Sequence, residues 1–476
     1  MAKLPILEGV MNYLNQNNAP FSMPGHKNGR GFLLTEEGKA FYHSIISGDI
    51  TEVEGLDNLH KPEGIIKEAE NLLSKLYGSR KSYFLVNGST SGNLSMIFST
   101  FNEGDKIIVE RNCHRSIFNA VIMRKLKPIY VKNIISKKYN APFSLDMEHF
   151  LEVIEKNEDA KGIVITYPNY YGICGDLEKI ISEAKYRNIR VLVDSAHGAH
   201  FGISDMLPRN ALQLGADMVV MSAHKTLPSL TQTAYLHVSK NMDLEKVDFY
   251  TSAFMSTSPS YIFLASLDYA RYFLEEHGKV AFEKCIKLAD KYRELINKLN
   301  KFHIISNEDL NEEFPGYNIN IDRSKFVLNI GSDYNANELL NYLRREGVQA
   351  EMSDQHNVVF ILSPFNTEAD LDKLYQALKR CPMEQIKQEF IQIDVSHIPE
   401  GFLLPYEVLD KVREEIHIEK AIGRISASSV VPYPPGIPII MPGEIVDEEV
   451  LNVIQYCIKN RISIMGINNG MLQVVK

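Results

Sequence analysis

The stretch Asp217-Met218-Val219-Val220-Met221-Ser222-Ala223-His224-Lys225 decides how the chain is read. Four apolar residues run into a serine, a small residue, a histidine and a lysine. A lysine directly beyond a buried strand needs a reason, because its ammonium group is normally kept in water. One reading makes it a loop lysine. The other is covalent chemistry, since a desolvated lysine amine condenses with aldehydes.

Outward from that stretch, residues 65 to 265 alternate helical periodicity with short apolar runs, the pattern of βαβ units in a mostly parallel sheet. The apolar run Tyr83 to Val86 is followed by candidate strands at Lys106 to Glu110, Pro128 to Val131, Gly162 to Thr166, Arg190 to Val193, Asp217 to Met221 and Ala234 to Val238. Ile65, Ile66, Ala69, Leu72, Leu73 and Leu76 share one helix face, with Gly78 as its stop. Residues 265 to about 300 read as long amphipathic helices with a hinge between domains. Beyond them, strands at Phe326 to Ile330 and Val358 to Leu362 alternate with helices at Ala336 to Arg345 and Glu368 to Arg380. The expected fold class is α/β, in three parts. An N-terminal arm covers 1–64, a large domain with linker helices 65–300, and a smaller C-terminal α+β domain 301–476.

Composition narrows the function. A chain of 476 residues suggests two or three domains with sizeable cores. Its net charge of -9, with no dense Lys/Arg tract, argues against nucleic acid as partner and for small molecules. Five cysteines, widely spaced and without a CxxC pair, suggest neither a zinc site nor a disulfide framework. Lys3, Glu8 and Asn12 interrupt the first segment, and no run approaches the ~20 apolar residues of a membrane helix. A soluble, cytoplasmic protein is expected.

Three turns beside the strands carry chemistry. Asn87-Gly88-Ser89-Thr90-Ser91-Gly92-Asn93 joins a strand to a helix, where backbone N–H groups, hydroxyls and the helix dipole could cradle a phosphate; the alternative is a capped loop. Asp194, in Val193-Asp194-Ser195-Ala196-His197-Gly198-Ala199-His200, places a carboxylate where it could pair with a protonated ring nitrogen. Metal ligation by Asp194, His197 and His200 is the rival, and the spacing lacks an HExxH-like pairing. His114, in Cys113-His114-Arg115-Ser116, offers a flat ring to stack on a planar group. Thr257-Ser258-Pro259-Ser260 adds hydroxyls in a proline-favoured turn. A phosphate cup, an acid and a planar partner, all preceding Lys225, fit pyridoxal 5'-phosphate, whose ring serves as an electron sink.

These residues, in this order, resemble the bacterial ornithine/lysine/arginine decarboxylases of the fold-type I pyridoxal-phosphate enzymes. The likeness also includes Met23-Pro24-Gly25-His26-Lys27, Asp49-Ile50-Thr51-Glu52, Gly55-Leu56-Asp57-Asn58-Leu59 and Pro62-Glu63-Gly64. It resumes in Pro432-Tyr433-Pro434-Pro435-Gly436-Ile437-Pro438 and Met441-Pro442-Gly443-Glu444. The resemblance implies Lys225 as the residue bonded to the cofactor aldehyde, Asp194 on its ring nitrogen, and His114 and Ala196 on its two faces. Ser89, Thr90, Ser222 and His224 resemble phosphate ligands, with Ser91 and His197 beside them. Thr257, or Ser258, is similar to a residue that reaches the neighbouring subunit's phosphate, so a homodimer or homotetramer with shared sites is expected. The chain starts at the arm, without the flavodoxin-like wing of larger members, and carries His197 where acid-inducible members resemble tryptophan. It looks more like the shorter biosynthetic branch, in which arginine decarboxylation is common.

The resemblance implies loss of the substrate's α-carboxylate as carbon dioxide, with His224 or Lys225 returning a proton to the α-carbon. Glu444 is the first candidate for the substrate's distal cation, and Glu52 and Asp57 follow. Glu444 could instead be an acid near the start of a helix over Ile445 to Ile454. Lysine or ornithine decarboxylation are alternatives within this chemistry. An aminotransferase, with Arg424 holding the α-carboxylate, and a non-catalytic regulator are the rivals outside it.

Overall fold

The computed structural model describes residues 4–388, 396–432, 436–460 and 462–476. Tyr433 to Pro435 of the quoted proline-rich segment lie outside the described residues.

Seven strands form the central sheet: β1 (Lys81–Leu85), β2 (Lys106–Glu110), β3 (Lys127–Val131), β4 (Gly162–Thr166), β5 (Arg190–Asp194), β6 (Met218–Met221) and β7 (Ala234–Val238). Their order is β1-β7-β6-β5-β4-β2-β3. β7 runs antiparallel to both neighbours, and every other pairing is parallel.

Alternation along the strands explains why both faces are covered. Ile108, Ile163, Val191, Val193, Val219 and Met221 enter one core, which is closed by Ile66, Ala69 and Leu73 of the helix Ile65–Tyr77. Their sequence neighbours Ile107, Val109, Val164, Leu192, Met218 and Val220 enter a second core, closed by the helices Gly88–Thr100 and Arg115–Met123. Strands buried on both faces need continuous apolar runs, which is what these segments supply.

The helices Tyr261–Phe273 and Lys279–Asn297 lead out of this layer. A second, antiparallel sheet follows, made of β8 (His303–Ile304), β9 (Lys325–Asn329), β10 (Met352–Ser353) and β11 (Asn357–Ile361) in the order β8-β9-β11-β10. It packs with the helices Ala336–Arg345 and Glu368–Arg380 around its own core. A further core near the chain end joins strands Arg413–His417 and Met471–Val475 to the helix Glu448–Lys459. That helix starts three residues later than the pattern suggests, and Asp447 caps it by accepting from the Val450 amide at 2.9 Å.

The N-terminal segment lies over the second sheet. Ala19–Phe21 adds a parallel strand beside Val348–Ala350. The buried Lys27 donates to the carbonyls of Ser22 and Ile361, at 2.6 and 2.9 Å. From there the chain reaches the lysine turn, where the Gly25 amide donates to the His224 carbonyl at 2.7 Å. A Cβ at Gly25 would sit 2.6 Å from the Thr226 carbonyl carbon, so this crossing admits only glycine without backbone movement.

Candidate active site

Parallel strands bring their C-terminal ends to one edge, and β4, β5 and β6 deliver Tyr170, Asp194 with His197, and Lys225 there. Lys225 lies in a short helical turn after β6 and is half-buried. Burial pulls its amine below the ordinary lysine range, while Asp194 and Glu351 favour the charged form. Its Nζ lies 3.1 Å from His197 Nε2.

Asp194 ends β5 with 2% exposure. One carboxylate oxygen accepts from the Ala196 amide at 3.1 Å and the other from Asn93 Nδ2 at 2.8 Å. Each oxygen keeps a further lone pair for a ring N–H. Asn93 also donates to Ser116 Oγ at 2.9 Å, and that hydroxyl contacts His114 Nδ1 at 2.8 Å. One amide therefore ties the acid to the stacking ring. Burial first of all, then Lys225 and Arg115, holds the His114 imidazole below its ordinary range against the pull of Asp194, so the ring is neutral near pH 7.

The helix Gly88–Thr100 starts with no side-chain cap. Ser91 turns its hydroxyl back to the Gly88 carbonyl at 2.8 Å, while Ser89 and Thr90 stand in the first turn. The capped-loop alternative is thus not what forms. Ser222 Oγ is buried and, among the described residues, has no hydrogen-bond partner. An orphaned hydroxyl and an uncapped helix start fit a phosphate, and Asp194 fits a pyridine nitrogen, so these residues suit pyridoxal 5'-phosphate. Ala196 is buried beside Asp194.

His224 donates from Nδ1 to the Thr233 carbonyl at 2.8 Å, leaving Nε2 as an acceptor in the neutral ring. Burial lowers its pKa to about 4. Thr257 stands exposed in the turn after the helix Leu244–Ala253.

The three acids expected at the substrate have different partners. Buried Glu444 takes a two-pronged contact from Arg111 Nη1 and Nη2, at 2.6 and 2.7 Å, and accepts from the Met441 amide at 2.7 Å. It is neither a helix cap nor open to a guanidinium. Asp57 accepts from the amides of Asn58, Glu63, Gly64 and Ile66, which fastens the start of the helix Ile65–Tyr77. Glu52 accepts from the hydroxyls of Thr51 and Ser258. The residues weighed for a metal are likewise divided: Asp194 holds Asn93, His197 lies between two lysines, and His200 Nε2 meets Asp322 Oδ2 at 3.1 Å. Arg424 is engaged by Glu414 and the Val475 carbonyl, at 2.6 and 2.8 Å.

Sequence reasoning passed over Asn93 as a linker, and Tyr170, Lys325 and Glu351 altogether. Tyr170 OH donates to Glu351 at 2.6 Å, and the Met23 amide donates to the same carboxylate at 2.9 Å. Buried polar residues inside apolar runs, such as Lys325 before Phe326, were the available signal.

Fold and site together define a fold-type I pyridoxal-phosphate enzyme. The family model for the Orn/Lys/Arg decarboxylase major domain matches residues 4–315, and that for the C-terminal domain matches 404–462. The chain belongs to the Orn/Lys/Arg decarboxylase family and is a pyridoxal-phosphate-dependent amino acid decarboxylase. It is 36% identical to the uncharacterized protein YaaO of Bacillus subtilis, over 97% of this chain and 96% of that one. It is 33% identical to an arginine decarboxylase of Bacillus anthracis, over 99% and 96% of the two chains. Among solved structures, a lysine decarboxylase of Francisella novicida superposes with a TM-score of 0.79 at 22% identity, over 99% of this chain and 83% of that one.

Proposed function

We propose that this enzyme decarboxylates L-arginine to agmatine and carbon dioxide, as a step in making polyamines. Relatives named arginine decarboxylase are 32 to 33% identical over nearly the whole chain, whereas relatives named lysine decarboxylase are 22 to 23% identical. That contrast carries the choice of substrate. Lysine is the second reading, favoured by the fold likeness to lysine decarboxylases.

When bound, pyridoxal 5'-phosphate supplies the electron sink that takes up the pair left by the departing carboxylate. The chain's part is to hold, orient and protonate. Lys225 supplies the amine that binds the aldehyde. Asp194, oriented by Asn93, keeps a proton on the ring nitrogen. His114 offers a neutral face for stacking, with Ala196 opposite. The amides at Ser89 and Thr90, with Ser91 behind them and the Ser222 hydroxyl beside them, receive the phosphate. Of the two proton donors expected, Lys225 suits the α-carbon better, because the His224 N–H is spent on a carbonyl.

For the distal cation, over Glu444, which is paired with Arg111, and Asp57, which holds backbone amides, we favour Glu52, whose carboxylate accepts from two hydroxyls. Its neighbour Thr257 would reach the phosphate of a second subunit, making the active unit at least a homodimer in the cytoplasm. The parts 1–64, 65–300 and 301–476 would serve as N-terminal arm, cofactor-binding large domain with linker helices, and C-terminal α+β domain. Incubation of the loaded protein with arginine, lysine and ornithine separately tests the reading. Agmatine as the main amine supports it, and cadaverine or putrescine as the main amine overturns the choice of substrate.

A further inference from the structure

Two lysines, the buried Lys325 and the half-buried Lys225, converge on one imidazole. His197 Nε2 lies 3.1 Å from Lys225 Nζ, and His197 Nδ1 lies 3.2 Å from Lys325 Nζ. Lys325 opens β9 of the second sheet, is fully buried, and donates to the Tyr170 carbonyl at 3.1 Å. Its stem runs over Gly172, where an added Cβ would come within 2.7 Å of Lys325 Cδ at a φ of +85. The loop after β4 is therefore shaped to admit this lysine.

Hydrogen-bond inventory restricts the protons. A neutral imidazole has one N–H and one acceptor nitrogen. If both lysines were ammonium groups, both ring nitrogens would have to accept, and one contact would fail. Only one lysine can hold the charge while both contacts stand. With the charge on Lys325, Nδ1 accepts, the ring proton lies on Nε2, and Lys225 accepts it as a free amine. Burial, then Lys225 and Lys325, with His224 and His114 adding to them, drives His197 well below its ordinary range, which keeps the ring neutral. Burial lowers Lys325 to about 8 and Lys225 opposes its charge, while Asp322, Glu351 and Cys174 face it and favour the charge. Asp194 and Glu351 face Lys225. The ring of Tyr170 meets His197 edge-on at 4.8 Å between centroids and fixes its plane.

We propose that Lys325 is a positioning residue which, through His197, presents a hydrogen-bond donor to Lys225 and keeps that lysine an uncharged amine in the cofactor-free protein, before it meets the aldehyde. Only the uncharged amine has the lone pair that attacks an aldehyde, its two hydrogens leaving with the aldehyde oxygen as water. The inference rests on the decarboxylase reading insofar as Lys225 is the lysine that binds the cofactor. It adds a residue of the second sheet, so that docking of the two sheets and readiness of the lysine are linked.

The test is competitive labelling of the cofactor-free full-length protein with fluorodinitrobenzene across pH, with Lys225 read by peptide mass spectrometry. In the unaltered protein its midpoint should fall below the ordinary lysine value of about 10.4. Lys325→Met should raise that midpoint by about one pH unit, a roughly tenfold loss of Lys225 labelling at pH 8. Lys325→Gln, which keeps a polar partner for the Tyr170 carbonyl, should do the same if the methionine variant does not fold. Both variants should still form a borohydride-reducible adduct on Lys225 at high pH. An unchanged midpoint in a folded variant, or an ordinary midpoint in the unaltered protein, overturns the proposal. Failure of the unaltered protein to release any amine, with the labelling shift intact, would instead count against the decarboxylase reading alone.

Discussion

At the scale of single residues, the site is a set of charges that water reaches poorly. Lys325 and Lys27 are buried and Lys225 is half-buried, and loss of hydration lowers the pKa of each. Buried carboxyls respond in the opposite sense. Burial raises Glu110 to about 7 against the donors from Thr166 and Asn133, and raises Glu70 to about 8 against the Phe84 amide. A raised folded-state pKa means that the fold binds the proton more tightly than the unfolded chain does. These acids therefore favour folding fully below their ordinary value of 4.5, and that contribution is lost as pH rises through about 7 and 8. Glu70→Gln should flatten the decline in thermal stability between about pH 5 and pH 8. Melting curves at the two values check this, and an undiminished difference would count against a buried neutral Glu70.

The elements were legible where burial on both faces demanded unbroken apolar runs. Six central strands are buried along most of their length and coincide with such runs, the edge strand Lys127–Val131 is only partly buried, and the helices Ala336–Arg345 and Glu368–Arg380 start and stop where their patterns do. The helix near the end was placed too early, because Ile445 and Val446 extend its apolar pattern while the cap is Asp447. That shift matters for Glu444. Off the helix, it reaches Arg111 just past β2 and clamps the C-terminal part onto the central sheet, with Arg111 Nε also on the Pro438 carbonyl at 2.9 Å. Sequence spacing could not show this contact, since 333 positions separate the partners. Arg111→Met should cost about 3–5 kcal/mol by stranding a buried carboxylate, and adding Glu444→Leu should recover part of it. Denaturant titration of both variants measures the difference, and equal stability of Arg111→Met and the unaltered protein would remove the clamp.

For the whole molecule, the cofactor side of the site was readable because its ligands follow successive strands of one sheet. The opposite side was not. Lys325 and Glu351 reach the surroundings of Lys225, His197 and Tyr170 only once the second sheet has docked and the arm has crossed it, and chain order carries no record of that docking. The proposed role of Thr257 belongs to one further level, the dimer. If Thr257 serves a neighbouring site, Lys225→Ala and Thr257→Asp should each be nearly inactive alone. Subunits exchanged between them should regain about a quarter of full activity, because half the dimers are mixed and one site in each is whole. No recovery on mixing would mean that each chain completes its own site.

Carbon dioxide release from carboxyl-labelled L-arginine, by the pyridoxal-phosphate-loaded protein and by its Lys225→Ala variant, tests the central claim most directly. The unaltered enzyme should release labelled carbon dioxide and agmatine in equal amounts, and the folded variant neither. Release that survives the loss of Lys225, or none from the loaded enzyme, would contradict a lysine-bound decarboxylase.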